Sequence, residues 1–467
     1  MDRMIILFEL NEVPWRVLDD FAAQRPHSAL ATVLRAGRAY TTVSEDAALS
    51  PWVTWPTVHR GVTDDQHTIS DFGQDLSQIN DAFPPLWALL VGHGISTGVC
   101  GSLHSYPLPT NVAQYAFYVP DVFASGSECH PHTIEAFQAF NLAMSRGSAR
   151  NVGTTLSWPL ALRFLRAAPA LGVSPRTFAD VARQLANERR HRWMRVRRRT
   201  FQVRLAFDIF MRQLQRTRPV FSTFFTNHVA SAMHRYWAAS YPTHFETFDY
   251  PVEWVTQYRD EIPWAMRQCD HMLRRLLQFV DAVPGRALWI ATSMGQAATC
   301  ATAAPTQVYL SDVDTFMHRL GFERGEWESR PAMLPRVILA VRPARAAALE
   351  GRLRTVQIAD RGPLPWKRIG HDVFRIHPGT LQNVSDEYCV VDGRRLSFAE
   401  TGFRNLTIED SAGQSAYHVP EGALLVYDPA TPRNGHSRTT ISTTAVAPLI
   451  LRELGVPCPA YMHTPTL

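Results

Sequence analysis

The sequence predicts an α/β protein with a mostly parallel sheet and helices on both faces. Apolar runs of strand length alternate along the chain with segments whose apolar residues recur at helical spacing. This alternation is typical of sheets that are covered by helices on each side. The chain has 467 residues, of which 46% are hydrophobic and 19% charged, so it can bury the core of one large or two modest domains.

The individual elements follow from short sequence signals, taken in chain order. "MIILFEL" (residues 4–10) is a continuous apolar run and predicts a buried strand, and "VPWRVLDDFAAQ" predicts the helix after it. Further strands are predicted at "STGVCGSL", at "RALWIATSMGQ" and at "GALLVYDPA". The stretch from Val220 to Trp237 is predicted to be a strand that leads into a helix. Near the end of the chain, "STTAVAPLILRELGVPCP" has helical spacing and a Gly-Val-Pro stop.

Two segments depart from this alternation. Residues 126–218 are rich in Arg and Ala with few strand signals, which predicts a helical basic cap inserted into the core. Residues 321–414 mix short β-like runs with turns, which predicts a second, small α+β insertion. The core α/β domain is then made of residues 1–125, 219–320 and 415–467, the last supplying a closing strand and helix.

Positive charge is concentrated in one run, Arg189 to Arg199, within a chain of net charge +5. "RRHRWMRVRRR" contains seven arginines in eleven residues. The run is either a solvated helical face or a rim that attracts anions such as a phosphorylated substrate, a nucleic acid backbone or an acidic membrane. We expect it to lie outside the core and to be largely exposed. The rest of the chain shows no nucleic-acid-binding motif, so no specific nucleic acid partner is predicted.

The cysteines and the first residues bear on the compartment. Six cysteines are scattered without a CxxC pair, which predicts reduced, structural thiols. "MDRMIILFELNEV" has too short an apolar core for a signal peptide, with acidic residues where a cleavage site would need small ones. No apolar stretch approaches the ~20 residues of a membrane span. These features predict a cytoplasmic protein without a transmembrane segment.

Polar side chains follow several predicted strands, where the ligand crevice of an α/β sheet lies. They are Glu9, Asn11, Glu12, Asn227, His228, His234, Thr292, Ser293, Gln296, His418 and His436. Each also has a plain structural interpretation: Asn11 as a helix cap, for example, or His234 as a buried core histidine beside aromatic rings. Because several separate segments place polar groups at the same kind of position, a shared site is the better explanation.

The stretch "ALSPWVTWPTVHRGVTDDQH", from Ala48 to His67, combines aromatic rings with hydroxyls and imidazoles. Proline and glycine punctuate it, so it is predicted to be a loop rather than a helix or a strand. Its prolines and indoles form a stiff frame, which we expect to hold the Thr54 hydroxyl in the crevice. A turn-forming role for Thr54 is the structural alternative.

The order of these motifs resembles the alkaline phosphatase superfamily, most closely its type I phosphodiesterase and nucleotide pyrophosphatase branch. "TWPTVHRGVTDDQHTI" resembles the nucleophile loop of that branch and implies Thr54 as the nucleophile. "NHVASAMHRYW" and "YHVPEGALLVYDP" place His234 and His418 on two of its metal ligands. The fold implied is the alkaline-phosphatase-like sheet, and the activity implied is hydrolysis of phosphate or sulfate esters with two zinc ions.

Departures from the family pattern concern the metals. Asn11 stands where the branch has a metal-binding Asp, and Ser293 and Met294 replace two further ligands, which argues against two metals. His234 and His418, with Asn227 or His228 as third ligand, leave room for one divalent ion, zinc by preference. We expect the two imidazoles to lie within about 5 Å of each other.

The remaining candidates are assigned around this centre. Glu9 and Asn11 point to one face of their strand, so Glu9 is a candidate substitute ligand or general base, and both are assigned to catalysis together with Thr54. Candidate substrate-binding residues are Ser293, Gln296, Trp55 and His436.

The function predicted is hydrolysis or phosphotransfer on an anionic small-molecule or glycan ester, by Thr54 with one metal or none. Two alternatives stay open: a non-catalytic relative that binds an anion in the same crevice, and an acid–base enzyme that uses His234, His418 and Glu9 without covalent catalysis.

Overall fold

The structure is a computed structural model that describes residues 3–146, 158–330, 332, 335–431 and 438–463. Within these ranges, no helix combines the length and the apolar character that crossing a membrane requires.

The strands in chain order are β1 (Met4–Leu10), β2 (Arg38–Val43), β3 (Thr97–Cys100), β4 (Phe117–Val119), β5 (Phe221–Thr226), β6 (Phe248–Asp249), β7 (Arg286–Ala291), β8 (Gly295–Ala298), β9 (Ala301–Thr302), β10 (Thr306–Leu310), β11 (Trp327–Arg330), β12 (Val337–Val341), β13 (Gln357–Ile358), β14 (Trp366–Arg368), β15 (Val373–Ile376), β16 (Tyr388–Val391), β17 (Arg394–Ser397), β18 (Phe403–Thr407), β19 (Ala416–Val419), β20 (Glu421–Tyr427) and β21 (Arg438–Ser442).

The helices are α1 (Trp15–Gln24), α2 (Ala29–Ala36), α3 (Pro51–Arg60), α4 (Asp64–His67), α5 (Ser77–Ala82), α6 (Leu86–Gly92), α7 (Glu135–Arg146), α8 (Trp158–Ala167), α9 (Pro175–Arg190), α10 (Arg198–Thr217), α11 (His228–Ser240), α12 (Val252–Tyr258), α13 (Glu261–Asp281), α14 (Val313–Arg319), α15 (Ala346–Leu353), α16 (Phe398–Thr401) and α17 (Val446–Glu453).

The main sheet has the strand order β21-β2-β20-β7-β1-β5-β3-β4. β1 runs parallel to both of its neighbours, β5 and β7, and β3 is parallel to β4 and β5. β20 is antiparallel to both β2 and β7, between which it lies. The predicted mostly parallel sheet is therefore confirmed, with β20 as its antiparallel member.

Helices cover both faces of this sheet, and β1 shows how the sequence specifies this. Ile6 and Phe8 point into a core shared with α1, α2, α10, α11 and α13, whereas Ile5 and Leu7 point into a core shared with α3, α6 and α17. All four are fully buried, and full burial of such a side chain contributes roughly 1.5–3 kcal/mol. A strand buried on both faces needs the continuous apolar run that "MIILFEL" provides.

The helices α7 to α10 lie in the segment predicted to be a cap. Phe137, Phe164 and Phe207 from this segment belong to the same apolar cluster as Phe8 and Phe224 of the central strands. The apolar sides of these helices therefore pack against the main core. As predicted for this segment, its described residues from 135 to 217 form helices and turns without a strand. The boundaries 126 and 218 stay predictions.

A separate apolar cluster forms between β10 and β18, around small antiparallel sheets. It contains Val308 and Phe316 as well as Phe374 and Phe403. Because its residues begin before position 321, the part of the chain that shares this core starts upstream of the predicted insertion boundary.

Helix α3 shows that the loop prediction for residues 48–67 was wrong. Pro51 stands in the first turn, where no backbone N–H is needed. Pro56 lies inside the helix and cannot donate to the carbonyl of Trp52, four residues earlier. The Nε2–H of His104 donates to that carbonyl instead, at 2.8 Å. A distant histidine thus satisfies the group that the proline leaves free, and the helix continues.

The arginine run is only partly as exposed as predicted. Arg189, Arg190 and Arg192 are exposed, whereas the later arginines of the run are half-buried. The latter form ion pairs: Arg195 with Glu409, Arg197 with Glu261 and Arg198 with Glu188. Arg197 also lies over the rings of Trp193 and Trp264. The second half of the run therefore joins helices together, because acidic and aromatic partners lie within reach.

Candidate functional site

The candidate site lies at the edge of the sheet where the parallel strands β1, β5 and β7 end. Asn11 follows β1, Asn227 follows β5, and Ser293 follows β7 closely. Because the three strands are parallel, their carboxyl ends meet at the same edge, as expected for a crevice in an open α/β sheet. The sequence prediction located this edge.

Glu12 is the central residue of the site. It follows β1 in a left-handed backbone conformation (φ 59°), and only 2% of its surface is exposed. Its Oε2 lies 2.9 Å from Nε2 of His234 and 3.3 Å from Nε2 of His418. Its Oε1 accepts a hydrogen bond of 2.7 Å from Nδ2 of Asn11. Among the described residues, Glu12, His234 and His418 form the group that could hold a metal ion, with ligand atoms within 4.8 Å of one another.

Backbone carbonyls orient both imidazoles. Nδ1–H of His234 donates to the carbonyl of Ala416 at 2.8 Å, and Nδ1–H of His418 donates to the carbonyl of Leu49 at 2.7 Å. These contacts fix a proton on Nδ1 of both rings, so each Nε2, which faces Glu12, is the nitrogen left to take up a second proton or to bind a metal ion. The ring centroids are 5.3 Å apart.

The charges of the three groups are coupled. Burial alone would raise the pKa of Glu12, but His418 and His234 hold it well below its usual value through charge and hydrogen bonds. Burial alone would lower the pKa of His418, but the charge and hydrogen bond of Glu12 outweigh it and leave that pKa raised. Glu12 is therefore an anion at neutral pH, in a buried position where it needs positive charge beside it.

The donor set fits a divalent metal ion. Two imidazole nitrogens and one carboxylate oxygen are the ligands of one common type of catalytic zinc site. His418 Nε2 is buried and makes no well-directed hydrogen bond with any described residue, as a nitrogen reserved for a metal would be. The carbonyls behind both rings are typical of partners that hold metal-binding histidines in position.

A chain of hydrogen bonds positions the carboxylate of Glu12. Trp55 Nε1–H donates to Oδ1 of Asn11 at 2.8 Å. Asn11 Nδ2 donates to Glu12 Oε1 and to Oδ1 of Asn227, both at 2.7 Å. All the hydrogen-bonding atoms of the Asn11 amide are engaged in this chain. Asn11, assigned to catalysis from the sequence, thus contacts Glu12 directly. Trp55, assigned to substrate binding, acts on Glu12 through Asn11 and is fully buried.

Gln296 approaches Glu12 from the opposite side. It lies directly across from His418 in the antiparallel pair of β8 and β19, and its Nε2 donates to Glu12 Oε2. Gly295 permits this close pairing, because a Cβ at that position would lie 2.3 Å from the carbonyl oxygen of Glu421. The "GQ" dipeptide therefore serves to bring Gln296 and His418 to the same carboxylate.

Two hydroxyl-bearing residues lie at the start of α3: Ser50 directly precedes the helix and Thr54 lies in its first turn. The Thr54 hydroxyl donates to the Ser50 carbonyl at 3.2 Å and shares a hydrogen bond of 2.8 Å with Ser293 Oγ. Thr54 and Ser293 are both fully buried. Ser50 is half-buried and its hydroxyl makes no hydrogen bond to a described residue. Ser50 also directly follows Leu49, whose carbonyl holds His418.

Other predicted site residues lie away from the imidazole pair. Glu9 is fully buried and accepts a hydrogen bond of 2.8 Å from His59 Nε2 on α3, so Glu12 and not Glu9 lies between the two imidazoles. His228 uses both ring nitrogens, with Thr226 Oγ1 and the carbonyl of Ala265, and burial lowers its pKa to about 4. It is a satisfied core histidine and leaves no nitrogen for a metal. His436 lies outside the described residues.

The sequence analysis noted Glu12 but gave it no role. Alternation along β1 places Glu9 and Asn11 on one face, and both do face α3. Beyond the end of the strand, alternation no longer applies, because the turn at Glu12 has a positive φ. An acidic residue two positions after a buried strand, at a sheet edge that also gathers histidines, was the available signal.

Comparisons with known proteins give the following findings. No protein-family model matches the chain, and no curated protein does. Solved structures of ectonucleotide pyrophosphatase/phosphodiesterase 5 are similar over nearly the whole chain. The murine protein, as an inactive form with AMP, is 10% identical with a TM-score of 0.41 over 99% of this chain and 98% of its own. A second structure of the murine protein is 10% identical with a TM-score of 0.41, over 99% of this chain and 97% of its own. The human protein is 11% identical with a TM-score of 0.39, over 98% of this chain and 96% of its own. The site described above therefore rests on its own geometry.

Proposed function

We propose that the protein hydrolyses or transfers the phosphoryl or sulfuryl group of an anionic ester, with one divalent metal held by Glu12, His234 and His418. The observation that carries this proposal is the orientation of the imidazoles. Both Nδ1–H groups donate to backbone carbonyls, and both Nε2 atoms face one buried carboxylate. Two histidines fixed in this way, with a carboxylate held by two amides, form a prepared ligand set.

A divalent metal bound there, zinc by preference for this donor set, supplies a fixed positive charge for the oxygens of the ester group. The protein itself supplies the geometry. Asn11 and Gln296 hold the two carboxylate oxygens of Glu12, so the carboxylate cannot rotate away from the imidazoles. Trp55 fixes the Asn11 amide by donating a hydrogen bond from its Nε1–H to Asn11 Oδ1. The site therefore has its orientation before any ligand arrives, which is what electrostatic stabilisation of a developing charge requires.

The attacking hydroxyl is proposed to come from the first turn of α3. Thr54 is the residue that the family resemblance implies, and it lies beside Ser293. Its full burial requires the start of the helix to open before an ester could reach it. Ser50 is the second candidate, favoured by its accessible, unbonded hydroxyl at the N-terminus of α3. The positive end of the helix dipole favours an anion at this position.

The test combines metal analysis with an ester screen on the full-length protein. Purified protein is loaded with zinc, its metal content is measured by mass spectrometry, and a phosphate monoester, a phosphate diester and a sulfate ester are offered. Variants E12Q and H234N are compared with E323Q and H318N, which alter an exposed Glu–His pair at 3.5 Å. We expect about one metal per chain and turnover of one ester class in the wild type and both control variants, and loss of both in E12Q.

Three results would contradict the proposal. Folded protein that binds no zinc at saturation rules out the metal site. Metal binding and anion binding without turnover of any ester support the non-catalytic alternative instead. Equal turnover in E12Q and the wild type leaves the acid–base alternative, which uses His234, His418 and Glu9.

A further inference from the structure

Helix α8 exposes an apolar stripe to solvent. Trp158, Leu162 and Leu165 are spaced four and three residues apart, so they share one face of the helix. Their surfaces are 76%, 47% and 48% exposed, which is high for residues of this type. Ala161 and Phe164, on the side of α8 next to this stripe, are buried in the core. The exposed stripe is thus additional to the face that attaches the helix to the protein.

Arginines accompany this stripe. Arg163 and Arg166 are exposed beside it, and together with Leu162 they line a shallow cleft between α8 and Ala136 of α7. Helix α9 repeats the combination, with Leu185 49% exposed among basic residues. Across residues 158–192 all seven arginines are exposed: Arg163, Arg166, Arg176, Arg183, Arg189, Arg190 and Arg192.

Acidic residues do not balance this charge. The segment 158–192 contains two, Asp180 and Glu188, and neither is classed as exposed. Asp180 is paired with Arg183 and Arg204, and Glu188 with Arg198. The solvent-facing surface of α8 and α9 therefore combines exposed leucines and a tryptophan with charge of one sign. We call these exposed leucines, Trp158 and the seven arginines the α8–α9 surface.

We propose that the α8–α9 surface binds the surface of an anionic phospholipid bilayer. The arginines are complementary to phosphate and carboxylate groups of lipid headgroups, and the apolar stripe of α8 can enter the boundary between headgroups and acyl chains. Trp158 lies at the end of the stripe with the largest exposure, and an indole prefers that boundary because one part of it is apolar and one is polar.

A bilayer fits this surface better than a nucleic acid does. A nucleic acid backbone accounts for exposed arginines but gives no reason to leave three large apolar side chains of one helix in water. A bilayer accounts for both. The proposal does not depend on the metal site, since it concerns a different face of the chain and can be tested without zinc.

The experiment is co-sedimentation of the full-length protein with lipid vesicles. Neutral phosphatidylcholine vesicles are compared with vesicles that contain about 30% phosphatidylglycerol, at low and at high salt. We expect binding to the anionic vesicles alone, and a loss of about tenfold or more in bound fraction at high salt. The double variant L162E/L165E is expected to weaken binding by about tenfold or more. Replacing Arg189, Arg190 and Arg192 by Gln should weaken binding and reduce its salt dependence.

The control is V252E, which adds one negative charge, half of what L162E/L165E adds, at an apolar residue that is 75% exposed on α12. It should bind vesicles as the wild type does. Thermal unfolding of each variant checks that it is folded, and all the substituted positions are exposed. The proposal is overturned by equal binding to neutral vesicles, by no binding to either kind, or by unchanged binding of L162E/L165E. Binding of a single-stranded RNA by this surface, with no binding to either kind of vesicle, would assign the surface to a nucleic acid instead.

Discussion

Two carboxylates near the end of β1 form very different arrangements with histidine. Glu9 and His59 make a closed pair: both are buried, at 0% and 2% exposure, with a single contact of 2.8 Å between them. Glu12 faces two imidazoles from separate elements, α11 and β19, and both of these are only half-buried. The closed pair lies between β1 and α3, where the His59 ring contacts Trp55 and Trp87. The open cluster lies at the edge of the sheet.

The comparison shows which features separate a structural His–Glu pair from a candidate metal site. Both carboxylates are buried. The differences are the number of imidazoles, the backbone carbonyls that hold both Nδ1 atoms, and the side-chain amides that hold both oxygens of the carboxylate in the open cluster. Oε2 of Glu9, in contrast, has no partner among the described residues. A prepared orientation, rather than the presence of the residue types, identifies the site.

The largest contrast is expected between E12Q and E9Q. E12Q removes the charge that the two imidazoles and a metal share, so metal content should fall from about one per chain to near zero and kcat/KM by about a thousandfold or more. E9Q should keep both and lower the free energy of unfolding by about 1–3 kcal/mol, since it weakens one buried hydrogen bond. Metal analysis, steady-state kinetics and urea unfolding measure the three quantities. Metal lost in E9Q and retained in E12Q would reverse the comparison.

The next contrast concerns the two hydroxyls of α3. S50A should lower kcat by about a thousandfold if the accessible hydroxyl is the nucleophile. T54V keeps the shape of the side chain but removes its hydroxyl, and if Ser50 is the nucleophile it should cost about 1 kcal/mol of stability with most activity retained. A large loss of kcat in folded T54V with an active S50A would assign the attack to Thr54. Both variants should still bind the metal, because neither hydroxyl is bonded to Glu12 or the imidazoles.

A smaller effect is expected from the tryptophan below Asn11. W55F removes the Nε1–H donor that fixes the Asn11 amide, so metal affinity should fall by about tenfold. W289F is the matched control, because the Trp289 Nε1 is buried without a hydrogen-bond partner among the described residues. Both variants remove a buried indole and both should be destabilised. Equal zinc affinities in a competition titration would show that Trp55 has only a packing role.

The smallest expected effect is the pH dependence of the free energy of unfolding. Burial lowers the pKa of His104 to about 3 and that of His228 to about 4. As the pH falls below about 6.5, the unfolded chain takes up these protons and the folded protein does not, so stability is full above that pH and decreases towards pH 4. His418 acts in the opposite direction in the metal-free protein, because its raised pKa gives stability below about 6.5 that is lost at higher pH.

Urea unfolding between about pH 4 and pH 8 measures both effects. H228N should unfold with a weaker loss of stability on the acid side, by roughly 1–3 kcal/mol at most. Its metal affinity should equal that of the wild type, because both nitrogens of His228 are bonded elsewhere. An acid dependence identical to that of the wild type would mean that this imidazole is not held neutral by burial.

The central sheet could be predicted from the sequence because its strands carry strong local signals. The strands Met4–Leu10 and Arg286–Ala291 are continuous apolar runs, and their burial on both faces needs only that composition. The helix at Pro51–Arg60 could not be predicted in this way, because its continuity past Pro56 depends on His104, which comes from another loop. Local pattern predicts elements, whereas a contact between distant segments decides whether a poor local sequence still forms one.

The site was predictable to the level of its edge and its two histidines. His234 and His418 follow from motif resemblance, and the structure brings them together. Their third partner depends on the backbone turn at Glu12, and the assignment of His228 depends on two hydrogen bonds that pair both of its nitrogens. Neither the direction of a side chain after a turn nor the saturation of a buried ring can be read from residue types alone.

The position of β20 has a consequence for the order of events during synthesis. This strand joins β2 to β7, so the first strands of the chain cannot complete their sheet before residues near 427 have left the ribosome. His418 lies just before β20 and is needed by the cluster at Glu12. Once His234 has been synthesised, the nascent chain holds Glu12 and His234 without their third partner until His418 follows, with β2 and β7 exposed as unpaired edges. The proposed metal site is therefore complete only once His418 has joined Glu12 and His234.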